Sequence, residues 1–324
     1  MTSADWRPSA TVATARRRAA MLDGARRFFA ERGVLEVDTP ALSPSAVSDP
    51  HIDSLRVELA LQPGSTWYLR TSPEYPMKRL LCAGYPDIYE IARVFRNGEA
   101  GPRHQPEFTL VEWYRQGFDL DEMMHETVAM LTTLIEPSRL GGPPHYRSYA
   151  DAFRESVGID PLSAEVHALR RSADVDTRLE ESLGDRRDDW LDLLLATRVA
   201  PSFAVDRLTV LHRYPASQAA LARLNPVDPS VADRFEVFHG AVELANGFVE
   251  LTDAAEQTER FATDQAQRQS LGKSTAPIDD RFLAALQSGL PDCAGVAVGF
   301  DRVLMINEAA ADIRAVLTFP FEAS

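Results

Sequence analysis

Two cysteines in 324 residues, Cys82 and Cys293, stand far apart and form no Cys-x-x-Cys pair. That excludes a disulfide framework and a thiolate metal site, and leaves both as small buried apolar side chains. Basic residues are also in short supply. Lys+Arg number 34 against Asp+Glu 48, a net charge of −14, which is the wrong sign for broad contact with a nucleic-acid backbone. No apolar run reaches the length of a membrane span, and the basic cluster Arg16-Arg17-Arg18 is followed by no apolar core of a signal peptide. Internal repeats and low-complexity tracts are lacking as well. The expectation is a soluble, cytoplasmic protein that makes no contact with membrane. With 45% apolar and 25% charged residues, the chain has an ordinary globular composition and enough length for a large core.

What is present is ordered as strands, then helices, then strands again. Ala15 to Arg32 has helical spacing and stops at Gly33, and Val34 to Thr39 alternates as a strand closed by Pro40. Lys78 to Leu81 is helical, Ile88 to Phe95 is a strand, and Phe108 to Tyr114 is its hairpin partner, which makes Asn97 to Gln105 the connecting loop. Gly141-Gly142-Pro143-Pro144 breaks the chain before a charged, helix-rich stretch from Tyr149 to about Val199, and strand returns at Leu208 to Leu211. Without regular alternation of strand and helix, the pattern predicts an α+β fold on a mainly antiparallel sheet flanked by helices. We read residues 1–324 as one catalytic domain with a helix-rich insertion at about 145–205.

Four groups of residues carry chemistry. Arg96 follows the first strand of the hairpin, and Arg302 follows the glycine-rich stretch Gly295 to Gly299 into a helix. Arginine beside small residues suits a phosphate, because its planar fork matches phosphate oxygens and the small neighbours let backbone come close. Between them Glu236, Glu243 and Glu250 recur every seven residues. An odd interval alternates faces on an unbroken strand, so a common site requires one irregularity near Gly240 and another near Asn246-Gly247. Glu236 and Glu243 suit Mg2+, a hard cation that bridges phosphates and keeps several waters, while Glu250 faces the organic substrate. The fourth group is Ser72-Pro73-Glu74-Tyr75 with Glu112-Trp113-Tyr114. Three carboxylates and a phenol around one pocket suit a substrate with two amino groups, since uncompensated carboxylates there would be costly.

The stretches around Arg96 and Arg302 resemble the second and third signature motifs of class II aminoacyl-tRNA synthetases, and the helix and strand ending at Pro40 resemble the first, which in that family builds the dimer interface. Ser72 to Tyr75, Met77 to Leu80, Pro106 to Thr109, Glu112 to Arg115, Tyr214 to Ala219, Glu243 to Phe248 and Pro291 to Cys293 resemble, more narrowly, the elongation factor P (R)-beta-lysine ligases, relatives of the lysyl-tRNA synthetase catalytic domain. That resemblance implies a homodimeric ligase that uses ATP and Mg2+ to adenylate a lysine-like amino acid and transfer it to a lysine of elongation factor P. It implies that Ser72, Pro73, Glu74, Glu112, Tyr114, Glu250 and Ala297 serve the amino acid. Arg96, Asn97, Gln105, Phe108, Glu243, Leu244, Gly299 and Arg302 would serve ATP, with Arg96 and Arg302 as the catalytic cations.

Ala297 stands where lysyl-tRNA synthetases carry glycine, and the first motif begins near residue 15, leaving no room before it for an anticodon-binding barrel. Both point away from tRNA. Three positions depart from the family pattern: Gly98 separates Asn97 from Glu99, Gln105 replaces asparagine, and Val249 replaces a polar residue beside Glu250. They leave open a paralogue with another substrate or acceptor, or a catalytically weakened regulator.

Overall fold

The computed structural model describes residues 6–324. Its strands are β1 (Leu35–Glu36), β2 (Leu42–Ser43), β3 (Arg56–Glu58), β4 (Thr66–Leu69), β5 (Ile88–Phe95), β6 (Glu107–Gln116), β7 (His145–Ser148), β8 (Leu208–His212), β9 (Arg234–His239), β10 (Val242–Val249) and β11 (Cys293–Gly299). Eight form one sheet in the order β1-β5-β6-β11-β10-β9-β8-β7, and β2, β4 and β3 form a small second one. Only the outer pairs β1/β5 and β7/β8 are parallel. The six strands between them pair antiparallel, as the α+β reading anticipates.

The helices are α1 (Val12–Ala30), α2 (Glu74–Cys82), α3 (Leu120–Leu134), α4 (Tyr149–Val157), α5 (Val166–Ala173), α6 (Thr177–Leu183), α7 (Arg187–Leu194), α8 (Ala254–Ser270), α9 (Asp280–Gly289) and α10 (Phe300–Asn307). None among the described residues is long and apolar enough to cross a membrane. Helices α1, α3 and α10 cover one face of the sheet. Phe28, Phe29, Met123, Leu131, Val303 and Leu304 pack there against Val111, Trp113, Phe235, Val237, Val296 and Val298. The period of two along each strand then sends Leu110, Glu112, Tyr114, Gly295 and Ala297 to the opposite face.

Helices α4 to α7 have a core of their own, with Tyr149, Phe153, Leu169, Trp190, Leu194 and Phe203 meeting Leu211 and Phe238 of the sheet. A third cluster puts Met77 and Leu81 of α2 against Phe261 of α8 and Phe282 and Leu286 of α9. Each such side chain, when fully buried, contributes about 1.5–3 kcal/mol. This packing fixes α2 against the sheet and with it the stripe of residues Glu74, Met77, Lys78 and Leu81.

Arg17 and Arg18 of the N-terminal arginine cluster are structural. Arg18 on α1 reaches across to Asp301 at the start of α10, and its Nη2 donates to Thr109 Oγ1 on β6 at 2.7 Å. Asp301 Oδ2 accepts the Thr109 backbone N–H at 2.7 Å. One buried carboxylate therefore ties α1, β6 and α10 together. Arg17 pairs with Glu308 at 2.6 Å.

Candidate active site

The face of the sheet opposite α1 and α3 floors two joined cavities. The larger, about 530 Å3, is lined by Arg96, Gln105, Phe108, Glu236, Glu243, Leu244, Gly299 and Arg302. The smaller, about 180 Å3, is lined by Ser72, Glu74, Glu112, Tyr114 and Glu250. Arg96 and Ala297 line both, so the predicted nucleotide and amino-acid residues meet at one junction.

At the larger end the arginines are held more by backbone, imidazole and ring contacts than by close carboxylates. Arg302 Nη1 donates to the Glu243 carbonyl at 2.9 Å and lies 3.3 Å from Glu243 Oε2. Arg302 Nη2 lies 2.8 Å from His104 Nε2. Burial, and then the Arg302 cation, hold the imidazole below its ordinary pKa, so the neutral ring accepts. The Arg96 guanidinium lies over the Phe108 ring at 5.1 Å, and its Nε has no hydrogen-bond partner.

Two observations suit Glu236 and Glu243 to a divalent cation. They line the same cavity. Burial, opposed by Arg234 and assisted by repulsion from Glu243, raises the Glu236 carboxyl to about 7, and a bound cation would relieve that repulsion. Two carboxylates completed by phosphate oxygens and water are what Mg2+ prefers.

The seven-residue spacing is reconciled differently from the expectation. Gly240, at φ +55°, makes the turn between β9 and β10. The second irregularity is a register shift between Glu243 and Ala245. Asn246 and Gly247 lie instead in unbroken pairing with β9 and β11, so Asn246 and Glu250 share a face by ordinary alternation. Gly247 has another reason to be glycine: a Cβ there would stand 2.6 Å from the Phe235 ring and 2.9 Å from the Gly295 carbonyl oxygen.

At the smaller end the charges are tight. Lys78 Nζ lies 2.5 Å from Glu74 Oε1 and 2.6 Å from Glu250 Oε2, with 1% of its side chain exposed. Burial alone would depress the lysine pKa, but Glu250 and then Glu74 outweigh it and hold the ammonium above its ordinary value. Glu112 accepts from Ser72 Oγ and from Tyr114 Oη, both at 2.8 Å. Burial, then repulsion from Glu74, pushes the Glu112 carboxyl up to about 8. Gly295 opens the floor, since a Cβ there would stand 2.4 Å from the Tyr114 ring and 2.5 Å from Glu250 Oε1.

A family model described as tRNA synthetases class II (D, K and N) matches residues 2–323. The elongation factor P--(R)-beta-lysine ligase of Proteus mirabilis (strain HI4320) is 44% identical over 322 residues, which cover 98% of each chain. Those of Vibrio cholerae serotype O1 and Klebsiella pneumoniae (strain 342) are 43% identical over 330 residues and 44% over 321, covering 99% and 98% of each chain. The chain belongs to the elongation factor P--(R)-beta-lysine ligase family, on the class II synthetase domain. ATP-dependent activation of an amino acid is the chemistry of this family of ligases.

Within this ligase-family chain the departures can be located. Gly98 takes φ +80°, a left-handed turn that glycine enters without strain. The turn brings Glu99 back to line the larger cavity, with Oε1 3.8 Å from Arg96 Nη1. A carboxylate displaced by one residue is thereby returned beside the arginine. Gln105 is buried; its Oε1 accepts the Phe321 backbone N–H at 2.8 Å and its Nε2 has no partner. Val249 belongs to the core on the face away from the cavity, so its lost polarity does not reach the substrate side.

Two expected site residues fall elsewhere. Pro73 caps the start of α2 and lines neither cavity. Asn97 lines a separate cavity of about 460 Å3 together with Arg268 and Lys273, and its backbone N–H donates to the Asp53 carbonyl. Those two cations are already engaged by Asp53 and by backbone carbonyls. Sequence reasoning passed over Lys78 and Arg234 as site residues. Lys78 was findable, because it shares one helical stripe with the apolar Met77 and Leu81 and lies four residues after Glu74. Arg234 alternates with Glu236 on β9 and donates to it at 2.6 Å.

Proposed function

We propose that this chain joins β-lysine to ATP as an aminoacyl-adenylate and passes the aminoacyl group to a lysine side chain of elongation factor P. The names of its relatives supply substrate and acceptor. The observation that carries the reading is the charge distribution of the joined cavities. Arg96, Arg103, Arg234 and Arg302 line the larger cavity together with carboxylates that include Glu236 and Glu243, whereas the smaller is lined by Glu74, Glu112 and Glu250 with Arg96 as its single arginine.

A diamino acid fits that gradient, with its ammonium groups among the carboxylates and its own carboxylate turned toward Arg96. A substrate carboxylate oxygen attacks the α-phosphorus, and the bond to the bridging oxygen breaks to release diphosphate. No protein nucleophile is required, so the residues act by positioning and by stabilising charge. Arg96 neutralises the α-phosphate and Arg302 the γ-phosphate. Glu236 and Glu243 would hold Mg2+, which neutralises phosphate charge when bound. The acceptor amine then attacks the acyl carbon; an amide forms, AMP leaves and the nitrogen loses one proton.

The regulator reading loses its main support once Glu99 stands beside Arg96 despite Gly98. A homodimer formed through α1 and the edge strand β1, an acceptor other than tRNA and a cytoplasmic setting complete the proposal. Exchange of labelled diphosphate into ATP tests the first step, with β-lysine giving the highest rate among diamino acids. Failure of every diamino acid to support exchange overturns activation. Intact-mass measurement of elongation factor P from cells with and without this protein tests the acceptor, and an identical mass in both overturns that part.

A further inference from the structure

Lys78 is the most buried cation of the amino-acid end, and the activation chemistry gives it nothing to do. Its Nζ is 2.5 Å from Glu74 and 2.6 Å from Glu250, and 5.9 Å from the centre of the Phe282 ring. Moving an ammonium out of water costs several kcal/mol, and a helix held by Met77 and Leu81 would be better packed with an apolar residue. The contacts of Glu112 are of another kind: it accepts only from the neutral Ser72 and Tyr114 hydroxyls. The four groups sum to a definite charge. Three carboxylates and one ammonium leave a deficit of two positive charges when all are ionised.

We infer that Lys78 is a specificity-determining residue: a built-in counterion that favours the ionised forms of Glu74 and Glu250, so that the pocket, once a bound cation ionises Glu112 as well, has a deficit of two, the charge of the two ammonium groups of a diamino acid. The inference rests on the proposed activation of such a substrate and adds the reason for its amine count. Without Lys78 three carboxylates would face one another in a dry pocket. Like charges at such range do not all ionise, so the pocket would take up protons near neutrality and lose the charge that recruits an ammonium. Lys78 touches no reacting atom and acts through the two glutamates, so its loss should change amine binding and its pH dependence.

The test measures diphosphate exchange across pH 6–9 in the wild type, K78M, K78R and K78M/E74Q, varying β-lysine and ATP separately. K78M is expected to raise the KM for β-lysine about 100-fold at pH 7, in line with the cost of unpairing a buried charge. That loss should recover at higher pH, as the carboxylates ionise, while the KM for ATP stays within about twofold. K78R should keep the wild-type pH profile. K78M/E74Q removes one charge of each sign, so it avoids the unpaired charge that could prevent K78M from folding. Its affinity should be lower, but its pH profile should stay where the wild type has it. An unshifted profile in folded K78M, or a double variant shifted alkaline like an unpaired pocket, overturns the inference. Absence of diamino-acid-dependent exchange in the wild type overturns the proposed activation instead.

Discussion

At the amino-acid end of the cavity a lysine with 1% of its side chain exposed sits within 2.6 Å of two glutamates. At the nucleotide end Arg302 is 3.3 Å from Glu243, whose side chain is 41% exposed, and Arg96 is 3.8 Å from Glu99. The two ends face different tasks. Phosphates bring their own charge and are gripped by whatever forks surround them, so Arg302 can exchange its present partners, the Glu243 carbonyl at 2.9 Å and His104 at 2.8 Å, for phosphate oxygens. An aliphatic diamine has little shape to recognise, and discrimination falls to buried charges whose number and place are fixed beforehand.

The sharpest break of that contrast removes a gripping cation. Arg302→Ala should lower the rate of diphosphate exchange by about 10²–10³, the range for deleting one electrostatic stabiliser of a transition state. Binding of β-lysine, followed calorimetrically, should be nearly unchanged. Next comes Gly295→Ala. The added methyl meets both the Tyr114 ring and Glu250 on a strand paired on both sides, and overpacking of this kind costs about 1–3 kcal/mol. The KM for β-lysine should rise about 10–100-fold and thermal stability should fall, with the KM for ATP little affected.

Glu112→Gln sharpens the comparison through pH. Burial holds the Glu112 carboxyl neutral up to about pH 8, and a cationic substrate needs it ionised. Affinity for β-lysine should therefore rise as pH climbs from 7 to 9 in the wild type. The glutamine variant should bind about tenfold more weakly, by one charge-assisted hydrogen bond, and lose that rise. The smallest effect is expected from Gly98→Ala. No atom lies within 4 Å of the new methyl, but φ is +80°, a conformation that costs about 1 kcal/mol in a non-glycine residue. The KM for ATP should rise about fivefold as Glu99 swings away from Arg96, and the KM for β-lysine should stay as it is.

Local pattern made much of this legible. Ile88 to Phe95 reads as a strand and is one, since alternation and β-branched content agree there with burial on both faces. Arg96, Arg302, Glu112 and Glu250 are recognisable because turn-forming or apolar neighbours announce their setting. The first-motif strand was over-read: Val34 to Thr39 alternates, yet only Leu35–Glu36 pair with β5, because the chain leaves the sheet edge before Pro40. The register shift at Leu244 was misplaced because a bulge leaves no mark in the sequence, whereas Asn-Gly is a familiar turn signal that here serves close packing. The four-residue spacing of Lys78 from Glu74 by itself describes a solvated helix face, and only the apolar stripe of Met77 and Leu81 beside it speaks for burial. What buries it is the docking of α2 against α9, two hundred residues later in the chain.

The knot of Arg18, Thr109 and Asp301 also orders events in time. On a ribosome the chain emerges from its first residue, so α1 and β6 are made long before Asp301, which is separated from Arg18 by 283 positions. Until Asp301 arrives, Arg18 has lost its buried counterion and the Thr109 N–H its acceptor, and Arg302 follows in the very next position. A nascent chain therefore lacks both this tie between α1, β6 and α10 and the neighbouring Arg302 until α10 is made.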